Sequence, residues 1–355
     1  MSRRERSGEL GRSAPEGRDR EPLTYAAAGV DVAAGERAVG LMRGLVEATH
    51  GPRVLGGLGG FAGLWALDRA RWSDPVLAAA ADGVGTKLLV AQAMDRHDTV
   101  GVDLVAMVVD DVVVIGAEPL FVLDYLAVGR LDPDRVAAVV AGVAEGCRRA
   151  RCALLGGETA EHPDAMAPGA YDLAGFALGV AERRRLLGPE RVRAGDVLLG
   201  LAASGLHANG FSLARRALER AGLGYDAVPP ELGVPVGEAL LVPTRIYAPD
   251  LVDLLADGAD VHALCHVTGG GLPGNLPRCV PPGLAARVDR ASWTPPAIVR
   301  LLGELGPVAD DELATATNLG VGMVALLPRA EADGAAAFLQ ARGVDAWVMG
   351  EVVAG

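Results

Sequence analysis
Apolar residues recur along this chain in two rhythms, and their alternation predicts the architecture. A helical period over 36–50 puts Val39, Met42, Leu45 and Val46 on one side. A short apolar run over 76–81 reads as a strand, and 104–115 reads as a helix interrupted by Asp110 and Asp111. A strand over 121–128 and a helix over 132–149 follow, with Pro133 suited to a first helical turn. Short strands are expected at 152–155 and 172–180, and a crossover containing Arg183-Arg184-Arg185 and Pro189 at 182–195. The alternation then resumes, with strands at 197–202, 261–267, 321–327 and 347–353 and helices at 210–221, 243–255 and 330–342. Strands alternating with helices imply an α/β protein, of the α+β type with mixed sheets covered by helices. The predicted division is a solvated tail over 1–22, an N-terminal domain over 23–182 and a C-terminal domain over 183–355.

Composition narrows the function. The net charge of -12 argues against a nucleic-acid or membrane-surface partner. No apolar run reaches the roughly 18 residues of a membrane span. The paired arginines near the N-terminus have no apolar segment behind them, so they do not read as a signal peptide. Cys147, Cys152, Cys265 and Cys279 form neither a CxxC nor a zinc spacing. Buried free thiols and a cytoplasmic location are the expectation.

Three groups of residues carry candidate chemistry. Of the 33 lysines and arginines, Lys87 is the single lysine, and it closes the sequence Asp82-Gly83-Val84-Gly85-Thr86-Lys87. A compact ammonium is a common phosphate contact. Asp103, Asp110 and Asp111 lie in or beside a strongly apolar stretch, where ionised carboxylates need a partner or a cation. With Asp82 and Lys87 nearby in sequence, they suggest a magnesium–phosphate site, the lesser alternative being that one or more points to solvent at the rim. Glycine-rich turns at 56–60, 83–85, 156–157 and 269–271 permit close backbone approach to a ligand. None is a Walker A loop or a dinucleotide fingerprint. The loop Ser204-Gly205-Leu206-His207-Ala208-Asn209-Gly210 precedes a helix and suits either an anion or an ordinary cap.

Taken in order, GVD (29–31), GGLGGF (56–61), DGVGTK (82–87), GVDLVAM (101–107), GAEPLFVLDY (116–125), GGETAE (156–161), SGLHANG (204–210), PTRIY (243–247) and TGGG (268–271) resemble the phosphoribosylformylglycinamidine cyclo-ligases of purine biosynthesis. The resemblance implies an ATP- and Mg²⁺-dependent closure of formylglycinamidine ribonucleotide to aminoimidazole ribonucleotide. It also implies a homodimer whose N-terminal domains pair through a β-barrel-like interface. Carried over by motif, Lys87, Asp82, Gly83, Thr86, Asp103 and Asp111 would bind ATP, beneath a loop containing Gly57, Gly59 and Gly60. Asp82, Asp103, Asp111 and Glu158 would hold the metal. Glu158, Thr159, Ser204, His207, Asn209, Thr268, Gly269, Gly270 and Gly271 would bind substrate, and Lys87, His207 and His266 would serve catalysis. Two departures stand out: Asp110 replaces the usual Asn, adding a charge at the expected metal site, and Ala316-Thr317-Asn318 lacks the usual aromatic. No cysteine precedes Cys147 and the chain ends Glu351-Val352-Val353-Ala354-Gly355, unlike the related selenophosphate synthetases and hydrogenase-maturation dehydratases. A catalytically silent nucleotide-binding dimer is the contrasting possibility.

Overall fold
A computed structural model describes Thr24 and residues 28–355. The expected tail over 1–22 lies outside the described residues. The first half contains α1 (Val32–Glu47), a small hairpin of β1 (Val54–Leu55) and β2 (Leu64–Trp65), β3 (Pro75–Gly83), α2 (Lys87–Met94), α3 (Val100–Val113), β4 (Glu118–Val128), α4 (Pro133–Arg149), β5 (Ala153–Glu161) and β6 (Tyr171–Glu182). The second contains β7 (Asp196–Ala202), α5 (Phe211–Ala221), α6 (Val236–Leu241), α7 (Ala248–Ala256), β8 (Ala263–His266), α8 (Gly271–Asn275), β9 (Leu284–Val288), α9 (Ala297–Leu305), α10 (Asp310–Ala316), β10 (Val321–Pro328), α11 (Ala332–Gln340) and β11 (Ala346–Ala354).

The first sheet runs β3-β6-β4-β5, antiparallel except for the parallel pair β4–β5. That pair is joined through α4, a right length for a crossover. Asp132 caps α4 by accepting from the N–H groups of Asp134 (3.1 Å) and Arg135 (3.3 Å). Arg148 and Arg149 complement the helix dipole at its far end. Helices α3 and α4 cover one face of the sheet and meet backbone to backbone, because Gly101 and Gly142 lie at the contact. A Cβ on Gly101 would stand 2.1 Å from the Val143 nitrogen. The opposite face leaves Leu77, Tyr125 and Phe176 exposed.

The second sheet is fully antiparallel, in the order β8-β10-β7-β11-β9. Leu199, Leu201, Met323 and Ala325 face one packed layer, which includes Phe211 of α5, Leu254 of α7 and Val299 of α9. Leu198, Cys265, Val324 and Met349 face the other, beneath Leu272 and Leu276. The three buried cysteines and the half-buried Cys279 are free thiols.

Helix α3 joins the halves. Every one of its 14 residues is buried except Asp111. It packs on β3, β4 and β6 and also against α7 of the second half. The helix expected over 243–255 starts only at Ala248, since Thr244 and Tyr247 give their backbone N–H groups to carboxylates of α3. The strand expected over 152–155 continues to Glu161, because pairing with β4 carries it through its glycines. Helices α2, α9 and α10 and strand β9 were not expected from the pattern; α2 and α10 are short, and α9 begins in a proline pair that reads as a turn.

Candidate active site
Lys87 opens α2 and is wholly buried. Its ammonium donates to Asp103 Oδ1 (2.7 Å), to the His207 carbonyl (3.0 Å) and to the Val242 carbonyl (2.8 Å). These three contacts use all three N–H bonds. Asp103 Oδ1 also accepts from the Thr244 N–H (2.7 Å) and hydroxyl (2.6 Å). Burial pulls the Lys87 ammonium down and pushes the Asp103 carboxyl up, and their contact opposes both changes. In place of the expected phosphate contact, Lys87 forms an ion pair with Asp103 inside the first half, and the remaining bonds of the two side chains reach the second half at His207, Val242 and Thr244. Asp103 likewise leaves the expected metal set, with one oxygen saturated and Oδ2 enclosed without a partner.

Asp110, two helical turns on, accepts from the N–H groups of Tyr247 (3.0 Å) and Ala248 (2.8 Å). Its carboxylate sits on the N-terminus of α7, where the helix dipole favours negative charge. The additional charge expected at the metal site is thus directed to a helix end. Burial still pushes this carboxyl up to about 7, against the nearby His266 and the two N–H groups.

Asp111 differs from both. Its side chain is 40% exposed and binds His266 Nδ1 at 2.8 Å. Nε2 of His266 is buried and unpartnered. Burial alone would depress this imidazole, but Asp111, Asp110 and Asp82 outweigh it and raise it. Asp82, at the end of β3, is pushed up by burial and by Asp111, while the Gly83 N–H (2.7 Å) and His266 pull it down. Asp82, Asp111 and His266 thus form one cluster at the junction of the two halves. An oriented imidazole with a free Nε2 can accept or donate a proton.

Glu158 does not join that cluster within one chain. Asp82, Gly175, Asp124 and Gly157 form one row across the sheet, so Asp82 and the neighbour of Glu158 stand three strands apart, roughly 14 Å. Among the described residues no group of three His, Cys, Asp or Glu is arranged to hold a metal ion. Asp82 and Asp111 lie close enough to interact electrostatically, and carboxylates are the donor type that Mg²⁺ takes together with phosphate oxygens and water. Glu158 and Thr159 instead line a cavity of about 820 Å³ together with Gly57, Gly59 and Gly60, between α1 and the β4–β5 edge.

The loop before α5 is tightly held. His207 adopts φ +62°, and its Nε2 accepts from the Ser204 N–H at 3.1 Å. Burial lowers its pKa well below the ordinary value, so the ring is neutral and its Nδ1 has no partner. His207 is thus held as a neutral ring by its own loop, whereas His266 is held by a carboxylate. The Ser204 hydroxyl donates to the Pro243 carbonyl (2.7 Å), and Asn209 Nδ2 is buried without a partner. Thr86 lies beside Ser212, with the two hydroxyls 3.2 Å apart. The turn Thr268–Gly271 is fixed by Asn275, whose amide donates to Gly269 (3.1 Å) and Gly271 (2.9 Å) carbonyls. Gly271 admits no side chain, since its Cβ would lie 1.9 Å from the Ala314 carbonyl. Sequence reading quoted PTRIY but gave Thr244 and Tyr247 no role, and it missed Asn275; Tyr247 acts on Asp110 through its backbone N–H, Thr244 on Asp103 through its N–H and hydroxyl, and Asn275 on carbonyls.

Residues 66–181 match the N-terminal domain, and residues 193–355 the C-terminal domain, of AIR synthase related proteins. The fold is shared with a thiamine-monophosphate kinase from Stenotrophomonas maltophilia (TM-score 0.65, 20% identity, covering 89% of this chain and 94% of that one). It is shared also with the hydrogenase maturation protein HypE of E. coli (TM-score 0.63, 22% identity, 90% and 91% covered). A HypE solved in complex with ATP aligns with a TM-score of 0.60 at 19% identity, covering 90% of this chain and 86% of that one. The chain is 55% identical over 333 residues to a phosphoribosylformylglycinamidine cyclo-ligase of Sorangium cellulosum, covering 93% of this chain and 95% of that protein. Identity to the cyclo-ligase of Thermosynechococcus vestitus is 50%, covering 94% and 97%. The chain belongs to the phosphoribosylformylglycinamidine cyclo-ligase family.

Proposed function
We propose that this protein closes formylglycinamidine ribonucleotide to 5-aminoimidazole ribonucleotide at the expense of ATP, in the cytoplasmic synthesis of purines. The observation that carries this reading is 55% identity to a named cyclo-ligase along nearly the whole of both chains. The γ-phosphoryl group of ATP passes to the amide oxygen derived from the formyl group. The amidine-side nitrogen then attacks that carbon, the ring closes, and inorganic phosphate departs with the oxygen. Phosphorylation converts a poor leaving group into a good one, so the remaining work is alignment and charge stabilisation.

Asp82 and Asp111 are the residues that would hold Mg²⁺, which when bound neutralises phosphate charge. Asp111 orients the His266 ring through Nδ1, leaving Nε2 to take the proton lost by the attacking nitrogen. His207, Ser204 and Asn209 line the same interdomain junction as neutral hydrogen-bonding groups for substrate. The face that exposes Leu77, Tyr125 and Phe176 supports pairing with a second copy of the chain. Sedimentation as a monomer at micromolar concentration would remove that pairing from the proposal.

The deciding experiment is steady-state turnover with formylglycinamidine ribonucleotide. ADP, phosphate and aminoimidazole ribonucleotide should form in equal amounts, and none without the ribonucleotide. ATP binding without product would overturn the reading in favour of a silent nucleotide-binding protein.

A further inference from the structure
The cavity beneath α1 contains a carboxyl group that the chemistry above does not use. Asp124 lies on β4, on the helix-covered side of the sheet, with Gly175 beside it on β6 and Gly157 on β5. Both neighbours are glycines, and at Gly157 the reason is spatial: a Cβ there would stand 1.8 Å from Asp124 Oδ1. The absent side chain leaves the carboxyl a clear approach from the cavity, whose volume of about 820 Å³ is ample for a nucleoside. Its lining is mostly apolar, and on the helix-covered side it includes Ala38, Met42, Val46 and Val140. Among the described residues of the lining, Glu158 is the only other charged one, and no lysine, arginine or histidine contributes to it.

Such a lining repels phosphate and accommodates a planar base. Burial pushes the Asp124 carboxyl up to about 7, with no cation to oppose it. The titratable group that interacts with it is the Cys147 thiol on α4; Glu158 on β5 is in register with Tyr125 and lies on the other face of the sheet. The lining residues of α1 (Gly35, Ala38, Val39, Met42 and Val46) carry nothing that titrates, and neither does Phe176 on β6. A protonated carboxyl offers one O–H donor beside one carbonyl acceptor. Adenine presents the complement along one edge, with N1 as acceptor and the 6-amino group as donor. Guanine carries two adjacent donors, N1–H and the 2-amino group, which suit the ionised form.

Building on the ATP-dependent reading above, we propose that Asp124 is the base-specificity residue of the nucleotide site, receiving the N1/N6 edge of adenine in the cavity opened by Gly157.

The test compares ATP with 1-deaza-ATP, which keeps the shape and the 6-amino group but lacks the N1 acceptor. In the wild-type protein, KM for the analogue should exceed that for ATP by about tenfold to a hundredfold, since a buried O–H is left unpaired. In Asp124→Ala the two nucleotides should become nearly equal, with KM for ATP raised. Asp124→Asn, whose amide supplies the same donor and acceptor, should recover most of the lost ATP affinity. KM for ATP should rise through pH 7 in the wild type and stay level in Asp124→Asn, because only the carboxyl loses its donor. If Asp124→Ala does not fold, the wild-type analogue ratio and the Asp124→Asn pH profile still decide. Equal use of both nucleotides by the wild type, or discrimination that survives in Asp124→Ala, overturns the assignment while leaving ATP-dependent ring closure intact. Absence of any ATP-dependent turnover in the wild type overturns the underlying reading and this assignment with it.

Discussion

The two ends of α3 present the same residue type to opposite purposes. At the first turn, Asp103 is wholly enclosed and its Oδ1 is held by Lys87 and Thr244. At the last turn, Asp111 is partly open and holds a histidine whose far nitrogen is free. Both lie within one helix packed among Val, Leu and Ala, and both are expected to be functional on the ground that a carboxylate in such company is costly. What separates them is unused bonding capacity. A carboxylate whose donors come from the protein is a structural element, whereas one with room for a ligand is a candidate for chemistry.

The sharpest way to break this contrast is to remove the charge at the closed end. Lys87→Met leaves Asp103 buried without its cation, and a loss of about 3–5 kcal/mol in unfolding free energy is expected. Denaturant titration measures it; a change below about 1 kcal/mol would mean that the pair does not hold the halves together. Lys87→Arg should also destabilise, because a planar guanidinium cannot place three donors on Asp103, His207 and Val242 within the same space.

At the open end the effect should move from stability to rate. Asp111→Asn is expected to lower kcat/KM by about 10²–10³, since the orientation and charge of His266 both depend on it. Its unfolding free energy should change by less than about 1 kcal/mol, as befits a partly exposed pair. An inactive Asp111→Asn that is also strongly destabilised would erase the distinction between the two ends.

Asp110 lies between them and sharpens the comparison at smaller scale. Its folded-state pKa, raised to about 7 by burial, exceeds the ordinary carboxylate value. The native state therefore holds a proton that the unfolded chain releases, and stability falls as pH rises from about 4 to 7. Above pH 7 the full penalty is present. Asp110→Asn keeps an oxygen for the Tyr247 and Ala248 N–H groups and carries no charge, so it should stabilise by on the order of 1 kcal/mol at pH 8 and by little at pH 4. A melting-temperature gain independent of pH would show that the charge of Asp110 is not what burial opposes.

Much of this was legible in the chain before any coordinates. The apolar alternation located α3, α4, β4, β6, β7 and β10, because long buried elements have few other ways to satisfy both period and hydrophobicity. The motifs directed attention to Asp82, Asp111 and His266, which the fold brings together. The sequence could not distinguish Asp103 from Asp111, since a saturated and an open carboxylate have the same neighbours in one dimension. Nor could it separate Glu158 from the other acids, because sheet order decides that distance and β5 lies at the far edge from β3. The segment 243–247 misled for a related reason: its N–H groups are claimed by α3 from more than a hundred residues away, so the local helical pattern starts late.

The contacts radiating from α2 and α3 bear on how the molecule comes apart. Lys87, Asp103 and Asp110 grip the second half at His207, Val242, Thr244, Tyr247 and Ala248, so five backbone points are riveted across one seam. Prying the halves open as hinged plates would strand an ammonium and two carboxylates together, which makes partial opening dearer than wholesale collapse. A scanning calorimeter should accordingly register a single heat-absorption peak for the whole chain, with no shoulder marking independent melting of either half.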